Sequence, residues 1–105
     1  MGDTRAYVVA LDVLDPTLDV SAVKAVIKSS PVFGGWWNHL PGVFLVTTDR
    51  DAEAISAALR PVTGESSVLV IGADLGDSQG WLPSPAWDWV QRRAAPSDEL
   101  ASAAE

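Results

Sequence analysis

Three short segments of this chain are mostly apolar, and this pattern limits its fold more than any other feature. They are Tyr7–Val13, Val43–Thr48 and Ser67–Gly72, and all three are rich in β-branched side chains. Short runs of this kind are typical of buried β-strands, in which successive side chains point to opposite faces. The segments therefore predict a sheet that is apolar on both faces. Alternate side chains within each strand would point to opposite faces: Tyr7, Val9, Leu11 and Val13 against Val8 and Ala10, Phe44 and Val46 against Val43 and Leu45, and Leu69 and Ile71 against Val68 and Val70.

Two segments between the strands have apolar residues at the three- and four-residue spacing that is typical of amphipathic helices. Asp19 can cap the first helix, and Ser29-Ser30-Pro31 ends it. Thr48 or Asp51 can cap the second helix. We expect this helix to end at Arg60-Pro61, because Pro disfavours helical geometry in the residue before it. The apolar stripes are Val20, Val23, Val26 and Ile27 in the first helix, and Ile55, Ala58 and Leu59 in the second.

A fourth strand, Trp36–His39, forms a hairpin with Val43–Thr48 through Pro41-Gly42, a dipeptide that suits a type II turn. That turn matches the twist of the strands poorly, so we expect a bulge or a wider loop beside it. The order β-α-β-β-α-β is that of the α+β ferredoxin-like fold, in which two helices cover one face of a four-stranded antiparallel sheet.

The region after the last strand is a Trp-rich C-terminal extension. Ser84 followed by Pro85 predicts one or two turns of helix within it. We expect a single domain over residues 1–95 that includes this extension, and a disordered acidic tail over residues 96–105.

The charge of the chain argues against nucleic acid as a partner. Seven basic and fourteen acidic residues give a net charge of −7, whereas affinity for phosphates comes largely from Lys and Arg. The chain contains no cysteine, which excludes disulfides and Cys-ligated zinc and fits a reducing compartment. No apolar run approaches the ~20 residues of a membrane span, so we expect a cytoplasmic protein with no membrane partner.

The second apolar face of the predicted sheet requires a cover, because apolar surface left in water costs roughly 25 cal/mol per Å². A second copy of the chain and the folded-back Trp-rich segment are both candidates, and the two are compatible. We favour a homodimer. The alternative for the tryptophans is that they are simply core residues. Because Trp is a favoured interface anchor, the candidate interface residues are Trp36, Trp37, Phe44, Trp81, Trp87 and Trp89.

Several segments together resemble the short bacterial proteins labelled SinR family, over about Tyr7 to Val90. The first strand also resembles that of the small CRISPR spacer-acquisition subunit and of VapD-type toxins, which share a dimeric ferredoxin-like fold. The resemblance rests on Tyr7-Val8-Val9-Ala10-Leu11-Asp12, Trp36-Trp37-Asn38-His39-Leu40, Leu59-Arg60-Pro61, Val68-Leu69-Val70-Ile71, Gly80-Trp81-Leu82-Pro83 and Ala86-Trp87-Asp88-Trp89.

The resemblance implies a metal site at Asp12. In the nuclease-like relatives, the Asp that closes the first strand is the metal ligand and meets its symmetry mate across the dimer axis. Mg²⁺ or Mn²⁺ typically needs only one or two carboxylates in addition to waters and substrate phosphates. Asp15 is a candidate for an outer contact. The alternative is that Asp12 simply ends the strand and caps a loop, as Asp commonly does. His39, the only histidine, is interpreted as a polar position beside the hairpin turn.

Two functions follow from these observations. One is a metal-dependent endonuclease for RNA or DNA, with Asp12 of each subunit as the catalytic metal ligand. The other is a noncatalytic homodimeric module that binds another protein, which the resemblance links to CRISPR-type defence or toxin–antitoxin systems. We favour the second, because no basic cluster accompanies Asp12. Stacking of single-stranded nucleic acid on Trp36 or Trp37 is a third function, and the sparse basic residues argue against it.

Overall fold

The computed structural model describes residues 4–94 of the chain. It divides the chain into two compact units, Met1–Ala73 and Asp74–Glu105. The acidic tail predicted over residues 96–105 lies outside the described residues, and the single domain over residues 1–95 stays a prediction.

The first unit has the predicted order β-α-β-β-α-β. Its strands form one antiparallel sheet in the order β2-β3-β1-β4, so β2 and β4 are the edge strands. The structure thereby confirms the α+β class and the four-stranded antiparallel sheet. The elements are β1 (Arg5–Leu11), α1 (Val20–Ser29), β2 (Trp36–Leu40), β3 (Val43–Thr48), α2 (Ala52–Thr63) and β4 (Val68–Ala73).

A single hydrophobic core joins α1 and α2 to one face of the sheet, which we call the helix face. Alternate residues of β1 and β3 supply the strand side of this core, as the period of two in a strand requires. Both helices therefore cover the same face, as expected. The buried members of the core are Tyr7, Val9, Leu11, Val23, Ile27, Phe33, Phe44, Val46, Ile55 and Leu59.

Both helices of the first unit begin at an aspartate. The Asp19 carboxylate accepts a hydrogen bond from the amide of Ala22 at 3.2 Å, and α1 has the bounds that the sequence predicts. The Asp51 carboxylate accepts one from the amide of Ala54 at 2.9 Å. Asp51 is therefore the cap of α2, and the alternative, Thr48, is buried at the end of β3.

The predicted ends of β1 and α2 are wrong. The strand β1 ends at Leu11 instead of Val13, because a turn begins there in which the carbonyl of Asp12 accepts from the amide of Asp15 at 3.2 Å. The helix α2 continues through Pro61 and ends at Thr63, where Gly64 caps it with a φ of 57°. Pro61 cannot donate to the carbonyl four residues earlier, but that residue, Ala57, is exposed and water can replace the lost donor.

The hairpin between β2 and β3 contains the expected irregularity but not the expected turn. A register shift between Trp37 and Leu40 interrupts the pairing where a bulge or a wider loop is expected. The type II turn at Pro41-Gly42 is wrong, because that turn needs a positive φ at Gly42 and this residue has none. Glycine is required there for space instead, since an added Cβ would lie 2.9 Å from the carbonyl oxygen of Leu11.

The second unit contains one described helix, α3 (Ser84–Ala94), whose 11 residues make it longer than the one or two turns predicted. It also begins earlier than predicted, because the carbonyl of Pro83, and not that of Ser84, accepts from the amide of Trp87 at 3.2 Å. Within residues 4–94, no helix combines the length and the apolarity that a membrane span requires.

Candidate functional site

The face of the sheet opposite α1 and α2, which we call the second face, is apolar as predicted. The strand register places Val8 opposite Leu45 on one side and Ile71 on the other. Ala10 likewise lies between two apolar partners. Apart from the buried Thr47, the side chains that the register assigns to this face in the regular part of the sheet are apolar: Ala6, Val8, Ala10, Trp37, Val43, Leu45, Leu69, Ile71 and Ala73.

Exposure differs across the second face. Trp37, on β2, is only 4% exposed, and the residues of β1 and β3 on this face are partly buried. Leu69 and Ile71, on β4, are 58% and 53% exposed. Leu40, at the end of β2 beyond the register shift, is 44% exposed, so the two most exposed large apolar side chains of the second face are those on β4.

The candidate interface residues of the first unit are mostly buried. Phe44 has no exposed surface and is part of the core between the sheet and the helices. Trp36 packs against the same core, with its ring centroid 6.3 Å from that of Phe44. Trp37 has its ring 5.2 Å from the ring of the exposed His39, in an edge arrangement. The placements of Trp36 and Phe44 therefore match the alternative in which the aromatics of β2 and β3 are core residues.

The candidate interface residues of the second unit differ from one another. Trp81 is 99% exposed, which is rare for so large an apolar side chain. Trp87 and Trp89 are partly buried on α3, and the guanidinium of Arg93 lies 4.1 Å from the centre of the Trp89 ring. Trp81 is therefore the tryptophan that is best placed to anchor a partner.

Asp12 lies in the exposed turn directly after β1, the strand next to β4. Its carboxylate accepts a hydrogen bond from the amide of Leu14 at 3.1 Å, which is the loop-capping role that turn aspartates commonly have. Within the described part of the chain, no three His, Asp or Glu side chains come close enough to form a metal site. The other ligands of a metal at Asp12 would therefore come from waters, from a substrate or, as the resemblance implies, from the Asp12 of a second copy.

Asp15, three residues later, has a structural role that the sequence analysis missed. Its carboxylate accepts from the hydroxyl of Thr17 at 2.7 Å, from the amide of Thr17 at 2.9 Å and from the buried hydroxyl of Ser66 at 2.7 Å. The Thr17 hydroxyl first, and then the Ser66 hydroxyl, lower the pKa of the Asp15 carboxyl. The Asp15-Pro16-Thr17 sequence signals the local turn, but nothing in the sequence indicates the contact with Ser66.

The second unit also contains an open cavity of about 430 Å³ against one side of α3. Most of its lining side chains are polar, and Trp87 is the only aromatic one. The lining residues are Ser78, Gln79, Gly80, Ser84, Trp87, Asp88 and Gln91.

The feature of the first unit that is best suited to a function is therefore the second face and its exposed margin on β4. The Asp12 turn is accessible, but in the part of the chain that the structure describes it belongs to no cluster of three or more potential metal ligands. Comparisons with protein-family models, with curated proteins and with solved structures found no match to this chain.

Proposed function

We propose that this chain is a noncatalytic, homodimeric interaction module built on a ferredoxin-like sheet. The observation that carries the proposal is the exposure of Leu69 and Ile71, at 58% and 53%, on a sheet face that is otherwise apolar. Such surface is costly in water and marks an interaction site. The order of the elements and the strand order β2-β3-β1-β4 support the ferredoxin-like assignment.

A second copy of the chain is the partner that these properties favour. The net charge of −7 opposes binding to nucleic acid, while Leu69 and Ile71 on β4 carry no charge, so two copies can bring these exposed residues together. In a twofold dimer the same surface serves both copies. Trp81 then remains available as an anchor for another protein.

The biological setting is proposed on the resemblance alone. The segments that resemble the SinR-labelled proteins and their CRISPR-acquisition and VapD-type relatives favour a cytoplasmic role in defence or in a toxin–antitoxin system. In that setting the dimer would act by binding a protein component of the system.

Sedimentation equilibrium at micromolar concentration tests the dimer. We expect a particle of twice the 11.1 kDa chain mass. Replacing both exposed residues in the variant Leu69→Lys/Ile71→Lys should raise the dimer dissociation constant at least tenfold, because desolvating two charges opposes association. The matched control is Leu14→Lys, since Leu14 is 89% exposed outside the second face. Particles of a single chain mass for the unmodified protein would contradict the proposal.

A metal-dependent nuclease is the second candidate, and the exposure of Asp12 directly after β1 favours it. The test is incubation of labelled RNA and DNA with Mg²⁺ or Mn²⁺ and with either the parent chain or Asp12→Asn. An Asn side chain keeps an oxygen that can accept from Leu14, so the turn should survive while the charge is lost. Under this candidate the variant should lose at least nine-tenths of the cleavage. Equal cleavage by both proteins, or none by the parent, would contradict it.

A further inference from the structure

We infer that β4 pairs edge to edge with β4 of a second copy, in antiparallel orientation, about a twofold axis at Val70. This inference rests on the proposed homodimer and specifies how the two copies meet. The result is one continuous sheet of eight strands, with both second faces on the same side.

The outer edge of β4 is open. Among the described residues, 4–94, the strand lies at the end of the sheet and pairs only with β1. Among residues 4–94, no hydrogen bond outside that pairing reaches Val68–Ala73. The strand has the sequence VLVIGA, which contains no charge and no proline, and its register with β1 runs without a bulge. An exposed, regular and apolar edge of this kind is a template for another strand.

The other edge of the sheet is protected by comparison. The strand β2 is interrupted between Trp37 and Leu40, where its register shifts. The side-chain amide of Asn38 donates to the carbonyls of Leu40 and Val43, both at 2.9 Å, and so occupies backbone acceptors at this end. Bulges and polar side chains are the usual devices that prevent pairing at an edge. The edge of β4 has neither device.

The hydrogen bonds of the sheet determine which groups of β4 face outward. The amide of Leu11 donates to the carbonyl of Gly42 at 2.8 Å, so the backbone groups of Leu11 point toward β3. Backbone direction alternates along a strand, so those of Ala10 point toward β4, where Leu69 lies opposite. Leu69 and Ile71 therefore bond to β1. The amides and carbonyls that point outward are those of Val68, Val70 and Gly72.

Val68, Val70 and Gly72 can pair with the same three residues of a second copy. With the axis at Val70, each Val70 exchanges hydrogen bonds with Val70 of the second copy, and each Val68 exchanges them with Gly72. This register gives about six hydrogen bonds. Leu69 and Ile71 of the two copies then lie directly opposite on the second face, with Cα atoms ~4.5 Å apart. No charged residue lies within β4, so no like charges oppose each other.

A second copy is favoured over an unrelated strand for two reasons. Every copy carries the same open edge, so the partner is always present at the concentration of the protein itself. The pairing also brings together the most exposed apolar side chains of the sheet, Leu69 and Ile71, as cross-strand neighbours. The two second faces then form one wider apolar surface that remains available to a protein partner.

The same geometry separates the two Asp12 side chains. Asp12 follows the end of β1 that pairs with Val68, and the axis passes through the middle of β4. Strand spacing and rise place the two aspartates roughly 25 Å apart. They cannot share an ion in this dimer, so edge pairing and the paired Asp12 site exclude each other.

Cysteine cross-linking tests the register, because the natural chain contains no cysteine. Two single variants, Leu69→Cys and Ile71→Cys, are made, mixed, unfolded, refolded together and then oxidised. The thiol that replaces Leu69 in one chain would lie within disulfide distance of the thiol that replaces Ile71 in the other, whereas like positions are diagonal neighbours ~7–8 Å apart. We expect the mixture to form at least five times more covalent dimer than either variant alone. Circular dichroism verifies folding, and a mixture of His39→Cys and Leu40→Cys on the β2 edge is the matched control.

Each outcome separates the inference from the function on which it rests. A dimer by sedimentation with the preferential cross-link supports both. A dimer in which the mixture cross-links no better than the single variants or the β2 control overturns the edge pairing and leaves the homodimer standing. A protein that sediments as a monomer overturns both.

Discussion

Asp15 connects two loops that are distant in sequence. Its carboxylate accepts from the hydroxyl of Ser66 at 2.7 Å, and this contact links the β1–α1 loop to the α2–β4 loop across 51 positions. Thr17 supplies two further donors to the same side chain. The carboxylate is therefore a structural acceptor, which is a different role from the outer metal contact that the sequence analysis considered.

The stability of the protein should depend on the charge of Asp15 at acid pH. The pKa of its carboxyl is lowered by the Thr17 hydroxyl and then by the Ser66 hydroxyl. A lowered pKa in the folded state contributes stability above the ordinary Asp pKa of about 3.9, and this contribution is lost as the pH falls through the folded value. We expect Ser66→Ala to make the free energy of unfolding less dependent on pH below about pH 4.

Urea unfolding curves at a series of pH values measure this effect. The matched control is Ser67→Ala. Ser67 is the exposed neighbour of Ser66, and no hydrogen bond found among residues 4–94 joins the Ser67 hydroxyl to Asp15. If the free energy of unfolding of Ser66→Ala depended on pH as that of the parent protein does, the Ser66 hydroxyl would not be stabilising the ionised form of Asp15.

The β2–β3 hairpin shows how one element is fixed by its approach to another. The carbonyl of Gly42 accepts from the amide of Leu11 at 2.8 Å, so the turn lies directly against the end of β1. An added Cβ at Gly42 would be 2.9 Å from the carbonyl oxygen of Leu11 and 3.3 Å from a methyl of Val13. The contact with Leu11 is with a backbone atom, so no movement of a flexible side chain can relieve it.

We expect Gly42→Ala to lower the free energy of unfolding by about 1–3 kcal/mol, because the backbone must shift to accommodate the methyl group. Chemical denaturation measures the change. Gly76→Ala is the comparison, since the nearest atom to its added Cβ is a side-chain oxygen of Asp74 at 3.2 Å, which can move. An equal loss in both variants would mean that the close approach at Gly42 is not the cause.

At the level of elements, local signals predict what is local. The cap at Asp19 and the stop after Ser29 give α1 its observed bounds. The end of α2 could not be predicted, because Pro61 is tolerated only where the carbonyl it leaves unpaired is exposed, and exposure depends on tertiary packing. The end of β1 likewise depends on tertiary contacts that the sequence does not show. Val13 continues the apolar run, but the pairing partners end at Leu11.

At the level of the whole molecule, alternation along the strands was sufficient to predict the apolar second face. It could not predict where that face is accessible, since Trp37 and Ile71 have equally apolar positions and only Ile71 is exposed. The difference between a protected β2 edge and an open β4 edge was also invisible, because it depends on strand order and on a bulge. Asp12 caps the turn after β1, as one of the two interpretations of this residue expects, and the metal proposed there stays a prediction.

The open edge of β4 has a consequence for the newly synthesised chain. A six-residue stretch of high β-propensity without charge or proline is the type of sequence that stacks into amyloid-like fibrils when it is left unpaired. In the proposed dimer this segment is paired, so the hazard would apply to a newly made chain before it associates with a second copy. Rapid dimerisation would then limit aggregation of the newly made protein. Substitutions that block dimerisation should therefore first be seen to cause precipitation during expression.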